Sequence, residues 1–294
     1  MPELPDLAVY LKHLDERLVG EELNSVDLKS PFLLRTAEPP MDAFVGRRVV
    51  GVSRLAKQVV IDFGDELFMV IHLMIAGRFQ WRATGKAGGG RILLARFEFS
   101  SGSLLLTEAS KKKRASLRLV EGVAALDELD PGGLELATLS LQAFADRLHE
   151  SNHTLKRALT DQRVFAGVGN AYSDEILLRA RLSPFKRAAT LVDDDVAVLF
   201  DACKSVLSEW VDRLSRENAD RFPAKVTAFH PAMAAHGKYG EPCPQCGKPI
   251  QRIRYADNEA NYCAQCQTDG RLLADRSLSK LLKDNWPKRL EDLE

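Results

Sequence analysis

The first apolar residues of the chain recur at intervals of three and four. They are Leu7, Tyr10, Leu11, Leu14 and Leu18, and Gly20 follows them. This spacing places side chains on one helix face, and glycine readily takes the left-handed conformation that ends a helix. The pattern predicts a helix over about residues 6–19 whose apolar face packs on the elements that follow.

From about residue 22 to residue 120 the pattern changes to short apolar runs. The runs cover residues 48–52, 58–63, 66–72, 92–99 and 103–106. Turn-forming residues such as Gly64-Asp65 separate them, and closely spaced strands with turn signals are typical of an antiparallel sandwich or barrel. Lys57 stands at the start of one run. It is either an ordinary solvated lysine at the end of a strand or part of an active site.

The chain becomes helical after a linker that we predict over about residues 125–135. Helical spacing recurs over residues 141–148, 153–160 and 193–214. Cys203 lies in the last of these apolar stripes and is expected to be a buried core thiol. A turn containing glycines precedes a further helix over residues 171–179, for which Asn170 is a favourable N-cap. The N–H groups at such a helix start can bind an anion.

Composition limits the classes of protein to consider. With 294 residues and 45% hydrophobic content, the chain can form two domains and a small module. Lys+Arg and Asp+Glu number 41 each, so any nucleic-acid surface must arise from local clusters of cations. We find neither an apolar run of 18 residues nor a secretion signal, and therefore expect a cytoplasmic protein.

Four of the five cysteines form two C-x2-C units. Cys243, Cys246, Cys263 and Cys266 give the spacing C-x2-C-x16-C-x2-C. Two such turns can hold one tetrahedral zinc ion, whereas disulfide pairs are typical of secreted proteins. The spacing predicts one structural zinc, and four thiolate ligands leave no open position for activating water.

The opening sequence Met1-Pro2-Glu3-Leu4-Pro5 permits a different chemistry. Removal of Met1 would make Pro2 a secondary amine, and an α-amino group ordinarily has a pKa of about 7.7–8.0. Such an amine can attack a sugar carbon and form an iminium ion that draws electrons, while Glu3 transfers protons. The alternative is that the two prolines only mark the entry to a helix.

Four segments are distinctive when they are taken together. They are the opening PELPD, Leu55-Ala56-Lys57, FAGVGNAYSDEILLRA at 165–180 and YGEPCPQCGKPI at 239–250. The chain thereby resembles the formamidopyrimidine-DNA glycosylase and endonuclease VIII family of base-excision repair enzymes. The resemblance implies an α+β multidomain fold, with an N-terminal β-sandwich and a flanking helix, then a helix–two-turn–helix domain with a zinc-finger β-hairpin.

The resemblance also implies a division of the chain. We expect the catalytic sandwich domain over residues 1–124, a linker and the start of the helical domain over 125–150, and the helix–two-turn–helix domain over 151–225. The zinc finger then covers residues 226–266. Residues 267–294 extend beyond it and contain leucines at the spacing of a short amphipathic helix.

By resemblance, the activity is release of a damaged base followed by lyase cleavage at the abasic site. Pro2 would form a Schiff base with the sugar, Glu3 would move protons, and Lys57 would stabilise phosphate charge. The implied partner is damaged double-stranded DNA, and the protein is expected to bind it as a monomer. The expected location is the cytoplasm, in association with the nucleoid, and no membrane partner is implied. The implied cofactor is the one structural zinc.

The resemblance extends to residues that contact DNA. His72, Lys156 and Asn170 match phosphate-binding positions of the family. The loop over residues 72–77 matches the family's H-L-G-M-S-G, whose methionine fills the space left by a flipped base. Ile75 occupies that position here and is an apolar wedge that is stiffer than methionine.

Three segments depart from the family pattern. Lys111, Lys112, Lys113 and Arg114 stand where the family has D-P-R-R-F-G, so the aromatic wedge is missing and four cations suit either phosphates or solvent. Residues 217–223 lack the glycine- and threonine-rich loop that closes over 8-oxoguanine. Asn258 replaces a phosphate-binding arginine of the finger, for which Arg252 or Arg254 is a substitute.

These departures leave the lesion and the function partly open. Oxidised pyrimidines, ring-opened purines, bulky adducts and bare abasic sites all remain candidate substrates. A catalytically inactive damaged-DNA-binding protein of the same fold is one alternative function. Another is a protein that binds structured RNA through its helix–two-turn–helix and zinc hairpin.

Overall fold

The computed structural model describes residues 1–86, 88–223, 229–255, 258–285 and 287–293. The chain forms two compact units. The first comprises Met1–Pro131 with Trp210–Thr227, and the second comprises Gly132–Glu209 with Ala228–Glu294. The finer division at residues 124, 150, 225 and 266 stays a prediction. None of the described helices is long and apolar enough to span a membrane.

Two four-stranded antiparallel sheets form the β-sandwich of the first unit. Their strands are β1 Leu23–Leu28, β2 Gly51–Leu55, β3 Gln58–Asp62, β4 Leu67–His72, β5 Gly77–Ala83, β6 Leu93–Phe99, β7 Gly102–Glu108 and β8 Ser116–Glu121. One sheet has the order β1-β6-β7-β5 and the other β2-β3-β4-β8. The predicted sandwich is confirmed, and its inner faces share one core of buried apolar side chains.

The sequence pattern missed β1, β5 and β8 because their side chains are not continuously apolar. Strand β1 has one fully buried residue, Leu23, followed by exposed and half-buried positions. Strand β5 buries Phe79 but exposes its last two residues, and β8 includes the half-buried Arg118. Strands β1 and β5 have one largely solvated face, which gives a weak signal when read as an apolar run, whereas β8 is mostly buried and its apolar run is interrupted by Arg118.

Helix α1, Leu4–Leu18, flanks the sandwich as expected. Its residues Leu7, Tyr10, Leu14 and Leu18 are fully buried in the core of the first unit. The helix begins two residues earlier than the spacing predicts, because Pro5 lies in its first turn, where a proline costs no hydrogen bond. The predicted periodicity was therefore right, and the boundaries differ from the prediction by two residues at the start and one at the end.

The remaining helices follow the sequence pattern closely. They are α2 Val123–Asp127, α3 Leu141–His149, α4 Leu155–Thr160, α5 Asn170–Ala180, α6 Asp193–Glu217, α7 Ala264–Thr268 and α8 Arg276–Leu282, and the hairpin strands are β9 Ile250–Tyr255 and β10 Asn258–Cys263. Helix α2 begins just before the predicted linker and extends into it. Asn170 was wrongly predicted as an N-cap, since Gly169 holds that position and Asn170 is the first helical residue. Cys203 is fully buried, as expected, and burial raises its thiol pKa.

Candidate active site and DNA-binding surfaces

The start of the chain is fixed at the N-terminus of α1. Pro2 and Glu3 are buried, Glu3 to 2% exposure. The backbone N–H of Glu3 donates to Oδ2 of Asp6 at 2.9 Å, and the N–H of Leu7 donates to the Glu3 carbonyl at 2.9 Å. These bonds join the first residues to a packed helix, so any reactive group at Pro2 has a defined position.

Four charged residues act on the amino group at the chain start. Burial lowers the pKa of the Met1 amino group; the carboxylates of Glu3 and Asp6 oppose this, and Arg78 and Lys57 add to it. Met1 precedes Pro2 here, so the Pro2 nitrogen belongs to a peptide bond. The structure thus gathers Pro2, Glu3 and Lys57, which the sequence places up to 55 positions apart, around one point.

Lys57 lies in the two-residue turn between β2 and β3, next to Ala56 with its positive φ of 49°. Its exposure is only 5%. Long cationic side chains are seldom buried without a structural or chemical reason. The alternative of an ordinary solvated lysine is therefore wrong.

Asp6 is a further member of this site that sequence reasoning missed. It is 2% exposed, and burial raises its pKa to about 7, while its hydrogen bond from Glu3 and the nearby cation Arg78 act in the opposite direction. A carboxyl group with a pKa near 7 can hold or release a proton at neutral pH. A carboxylate three residues after the N-cap residue, here Glu3, is a capping signature, which was the available signal.

His72 ends β4 and pairs there with Gln58 and Ser116. Its Nδ1 accepts the backbone N–H of Met74 at 2.9 Å, and burial, with Lys57 and Arg118, lowers its pKa to about 4. The imidazole is therefore neutral at pH 7, and only Nε2–H is left to donate. A phosphate contact by His72 stays a prediction. Such a contact would be a hydrogen bond from the neutral imidazole, without a positive charge on the ring.

The loop after His72 presents Ile75, which is 51% exposed. Met74 has a positive φ of 51°, and Gly77 closes the turn by donating its N–H to the Leu73 carbonyl at 2.9 Å. A Cβ at Gly77 would lie 2.2 Å from that carbonyl oxygen, so only glycine fits. The tight turn leaves Ile75 at its tip, in a position suited to an apolar wedge.

The basic loop after β7 is organised around Glu108, a residue that sequence reasoning did not single out. Its buried carboxylate accepts the backbone N–H groups of Arg114 at 2.9 Å and Ala115 at 3.1 Å. Lys113 donates from Nζ to the Glu108 carbonyl. The side chains of Lys111 and Lys112 are exposed, as is that of Arg114. The loop conformation is therefore fixed from inside while these cations face solvent.

Lys156 lies in a buried network of the second unit. Its Nζ donates to Oδ1 of Asp174 and to the carbonyl of Asn170, both at 2.6 Å. The other carboxylate oxygen of Asp174 lies 2.7 Å from Nδ1 of His236 and accepts from Nδ2 of Asn261 at 3.2 Å. We call these four side chains, of Lys156, Asp174, His236 and Asn261, the Asp174 cluster. In this conformation the Lys156 ammonium binds protein groups, and its contact with phosphate stays a prediction.

Glu175, next to Asp174, fixes the segment that leads to the finger. Its carboxylate accepts the backbone N–H groups of Ala234, Ala235 and His236 at 2.8, 2.8 and 2.9 Å. Burial raises its pKa, and these three bonds oppose the shift. Helix α5 thus carries two adjacent carboxylates that hold the approach to the zinc site, although neither was predicted.

The four predicted zinc ligands converge. The sulfur atoms of Cys243, Cys246, Cys263 and Cys266 all lie within 4.8 Å of one another. Tetrahedral zinc with Zn–S bonds of about 2.3 Å requires sulfur separations of about 3.8 Å, and two of the observed separations are 4.0 and 3.4 Å. The donor set and its geometry fit one structural zinc ion.

The two arginines that we expect to substitute for the family's finger arginine, Arg252 and Arg254, differ in their surroundings. The side chain of Asn258 lies outside the described residues. Arg252 stacks over Tyr239 with its guanidinium carbon 4.4 Å from the ring centre, and it lies 3.8 Å from Glu259. Arg254 is exposed on the same hairpin, and its backbone N–H donates to Asp275. Of the two arginines, Arg254 is the one whose side chain faces solvent.

A β-sandwich that buries the chain start, followed by a helix–two-turn–helix element and a four-cysteine finger, defines a class of DNA-repair glycosylases. Three family models match the chain: the formamidopyrimidine-DNA glycosylase N-terminal domain at residues 1–115, its H2TH domain at 131–218, and the zinc finger found in FPG and IleRS at 240–268. The chain belongs to the formamidopyrimidine-DNA glycosylase family, a family of DNA glycosylases with lyase activity.

Individual relatives agree with this assignment. A formamidopyrimidine-DNA glycosylase of Thermus thermophilus is 31% identical over 274 residues, which are 92% of this chain and all of the relative. The Lactococcus lactis enzyme in complex with DNA containing an abasic site has a TM-score of 0.80 at 25% identity, over 90% of this chain and 99% of that one. MutM in complex with DNA containing carbocyclic 8-oxoguanine has a TM-score of 0.79 at 26% identity, over 91% of this chain and 100% of that one. These relatives support an active enzyme over the inactive alternative.

Proposed function

We propose that this chain uses the nitrogen of Pro2 as the nucleophile in removing a damaged base from duplex DNA and cleaving the abasic site. The observation that carries the proposal is the buried chain start, where Glu3, Asp6, Arg78 and Lys57 all act on the terminal amino group. This arrangement supplies a fixed nucleophile, a proton-transferring carboxylate and a cation. Relatives solved with damaged DNA support duplex DNA as the substrate.

Removal of Met1 is the first requirement, because it converts the Pro2 nitrogen from an amide into a secondary amine. Burial already lowers the pKa of the Met1 amino group. We expect burial to act in the same direction on the Pro2 amine, whose ordinary pKa is about 8. A lower pKa increases the fraction of free base at pH 7, and the free base is the nucleophile.

In the first step the Pro2 nitrogen attacks C1′ of the damaged nucleotide. The N–C1′ bond forms as the glycosidic bond breaks, and the electron pair of that bond leaves with the base. The nitrogen next loses its proton, and its lone pair opens the sugar ring and yields an iminium ion while O4′ takes up a proton. Glu3 is the group beside Pro2 that can carry protons to and from these atoms.

The lyase step follows from the electron demand of the iminium ion. Loss of a proton from C2′ moves electrons toward the nitrogen and gives an enamine, and the enamine electrons then expel the 3′ phosphate, which breaks the strand. Hydrolysis of the resulting unsaturated iminium ion releases the sugar aldehyde and returns the free amine. Lys57 supplies positive charge in a site with little solvent, where it stabilises phosphate oxygens more strongly than in water.

The DNA contacts of the first unit differ in their chemistry. Ile75 enters the base stack as an apolar wedge, and neutral His72 donates one hydrogen bond to a phosphate. Lys111, Lys112 and Arg114 face solvent and bind phosphates without reading sequence. Lys113 also contributes charge, although its ammonium donates to the Glu108 carbonyl.

In the second unit we assign phosphate contacts to Asn170, Lys156 and Arg254. Asn170 begins α5, and Lys156 donates to its carbonyl, so the lysine supports the phosphate-binding turn. Arg254 takes the role of the family's finger arginine, because its side chain is exposed on the hairpin. Binding to duplex DNA is also the basis on which we expect the protein at the nucleoid.

Borohydride trapping tests the nucleophile directly. Protein with a free Pro2 is incubated with an abasic-site duplex and sodium borohydride, beside Pro2→Gly and a form that retains Met1. We expect a covalent adduct with the free Pro2 protein and none with retained Met1. The Pro2→Gly protein has a primary amine on a flexible residue, so its adduct should form at a much lower rate.

Peptide mapping of the adduct completes the experiment. An adduct on the N-terminal peptide supports Pro2 as the nucleophile. An equally fast adduct from the form that retains Met1, with the label on a lysine peptide, would show that another amine is the nucleophile. DNA binding of all three proteins, measured at the same salt concentration, serves as the control for folding.

A further inference from the structure

The segment after the finger, residues 269–293, is the part of the chain that the family does not explain. We call it the C-terminal extension. The last of the three family models ends at residue 268, and a match over 92% of this chain covers the full length of the Thermus thermophilus relative.

The extension closes on itself next to α7. Arg271 and Arg289 form a β-bridge, the N–H of Leu272 donates to the Lys288 carbonyl at 2.8 Å, and the N–H of Leu290 donates to the Gly270 carbonyl at 2.9 Å. The two leucines are buried against the hairpin in a cluster with Ile253, Tyr262 and Ala264. The extension is thus a folded part of the finger region.

Two further hydrogen bonds attach the extension to the hairpin strands. The Leu273 N–H donates to the Tyr262 hydroxyl at 2.8 Å. Oδ2 of Asp275, a residue that is 4% exposed, accepts the Arg254 N–H at 2.9 Å. Ala274 lies between these two attachment points, so its position is determined from both sides.

Ala274 lines a groove in the second unit with a volume of about 770 Å³. The other walls come from residues 152–154, α4, the start of α5 and the segment that follows α5. They supply the basic side chains of His153, Lys156, Arg157 and Arg187. The side chains of Arg157 and Arg187 are exposed. The extension thereby forms one wall of a basic groove whose other side includes the phosphate-binding Asn170.

The extension is itself basic around this wall. Its central residues 271–289 contain six Lys and Arg residues and two Asp residues, a net charge of +4, whereas the whole extension, with Asp269, Glu291 and Asp292 at its ends, carries +1. Exposed cations of the extension are Arg271, Lys280, Lys283, Lys288 and Arg289. One of the two carboxylates, that of Asp275, is buried and accepts a backbone N–H. A concentration of exposed positive charge in a neutral protein indicates an anionic partner.

We propose that the C-terminal extension and the groove bind backbone phosphates of the duplex beyond the lesion and lengthen the DNA footprint. This inference rests on the proposed function, because it takes damaged duplex DNA as the occupant. The contacts go to phosphate oxygens, so they add affinity without sequence preference and weaken as salt concentration rises. Arg157 and Arg187 bind on the groove side, and the exposed lysines bind on the extension.

The test compares two lengths of duplex that contain the same uncleavable abasic-site analogue. Kd is measured between 50 and 200 mM salt for the wild-type protein, for Lys280→Gln/Lys283→Gln/Lys288→Gln and for Arg157→Gln/Arg187→Gln. On a long duplex we expect each lost contact to reduce the slope of log K against log salt by about 0.9, so that either variant shows a slope smaller by roughly 2 or more. On a short duplex that ends near the lesion we expect no difference.

Two controls make the result decisive. Glu291→Gln removes an exposed charge of the same extension and is expected to leave the slope unchanged or slightly larger. Ala274→Trp fills the groove without changing any charge and should weaken binding to the long duplex only. Equal slopes for wild-type and both charge variants on the long duplex would overturn the inference, as would preferential binding of a long RNA duplex through these residues.

Borohydride trapping of the wild-type protein on the short duplex separates this inference from the proposed function. Trapping on the short duplex, together with equal slopes on the long one, would refute the role of the extension alone. Absence of trapping, together with slopes that fall in both charge variants, would refute Pro2 chemistry and leave the extension as a DNA-binding element.

Discussion

The two units each bury a polar cluster, and the clusters differ in how their charges are balanced. In the Asp174 cluster, Lys156 and His236 lie 2.6 and 2.7 Å from the two oxygens of one carboxylate. At the chain start, burial instead raises the pKa of Asp6 to about 7 and lowers the pKa of the terminal amino group. Matched charges hold elements together, whereas groups that titrate near pH 7 can exchange protons. The chain start therefore offers groups that can exchange protons near pH 7, whereas Asp174 joins side chains from separate elements.

Loss of zinc should have the largest effect and should fall on the second unit. Structural zinc contributes on the order of 10–16 kcal/mol in finger peptides, and β10, which ends at Cys263, also carries Asn261 of the Asp174 cluster. After chelation, or in Cys246→Ser, we expect faster amide exchange in β9, β10 and α5 and unchanged exchange in α1. Cys203→Ala is the control, since it should keep one zinc per chain. Equally faster amide exchange in α1 would contradict the expectation that zinc stabilises only the second unit.

Asp174→Ala should destabilise the second unit by about 3–5 kcal/mol, because it leaves Lys156 and His236 buried without their carboxylate. The measurement is urea unfolding followed by the helical circular dichroism signal. Asp161→Ala is the matched control, since Asp161 pairs with the exposed Arg163 and its loss should cost less than about 1 kcal/mol. Similar costs for the two variants would mean that the Asp174 cluster is not a structural centre.

Asp6→Asn should change how stability depends on pH. Burial raises the folded-state pKa of Asp6 from 3.8 to about 7, so the folded protein binds a proton that the unfolded chain releases above pH 4. The contribution of this proton to the free energy of unfolding is fully present below pH 4 and is lost as pH rises to 7. The loss is about 1.4 kcal/mol per pH unit and about 4 kcal/mol in total. Asparagine does not titrate, so the variant should gain stability relative to wild-type over this window.

Urea unfolding at pH 4.5, 6 and 8 measures this effect, with the exposed Asp42→Asn as control. The control should keep the wild-type pH dependence. A constant difference between wild-type and Asp6→Asn at all three pH values would show that Asp6 is ionised throughout, and the contrast between the two clusters would fail.

The smallest effect concerns the exposed loop of the first unit. Lys111→Gln/Lys112→Gln should reduce the slope of log K against log salt for duplex DNA by about 2, since each phosphate contact contributes about 0.9. Lys12→Gln, an exposed lysine on α1, is the control and should leave the slope unchanged. An unchanged slope in the double variant would mean that these lysines face solvent and do not contact DNA phosphates.

The sequence predicted elements whose residues lie on one buried face. The spacing of Leu7, Tyr10, Leu14 and Leu18 located α1, and the apolar run from 58 to 63 located β3. It missed β1 and β5, in which polar residues alternate with buried ones, because pairing with the neighbouring strand defines them. Local periodicity reports burial, whereas strand pairing depends on segments that are distant in the chain.

The same limit applies to the candidate site. The spacing of four cysteines was enough to predict the zinc ligands, because each C-x2-C unit is a local turn. Lys57 was found only through its neighbours in the family motif, and its burial was not expected. Asp6, Arg78 and Glu108 were missed, since an acid or an arginine in a sequence carries no sign of what surrounds it.

By itself the sequence determined α1, the helical pattern of the second half, the zinc ligands and the family, because each depends on short-range spacing or on contiguous motifs. Only the tertiary structure decided the protonation of Asp6 and the direction of the Lys156 side chain. Asp174 meets His236 and Asn261 from 62 and 87 positions away. Such partners, and the burial that shifts a pKa, exist only after the chain has folded.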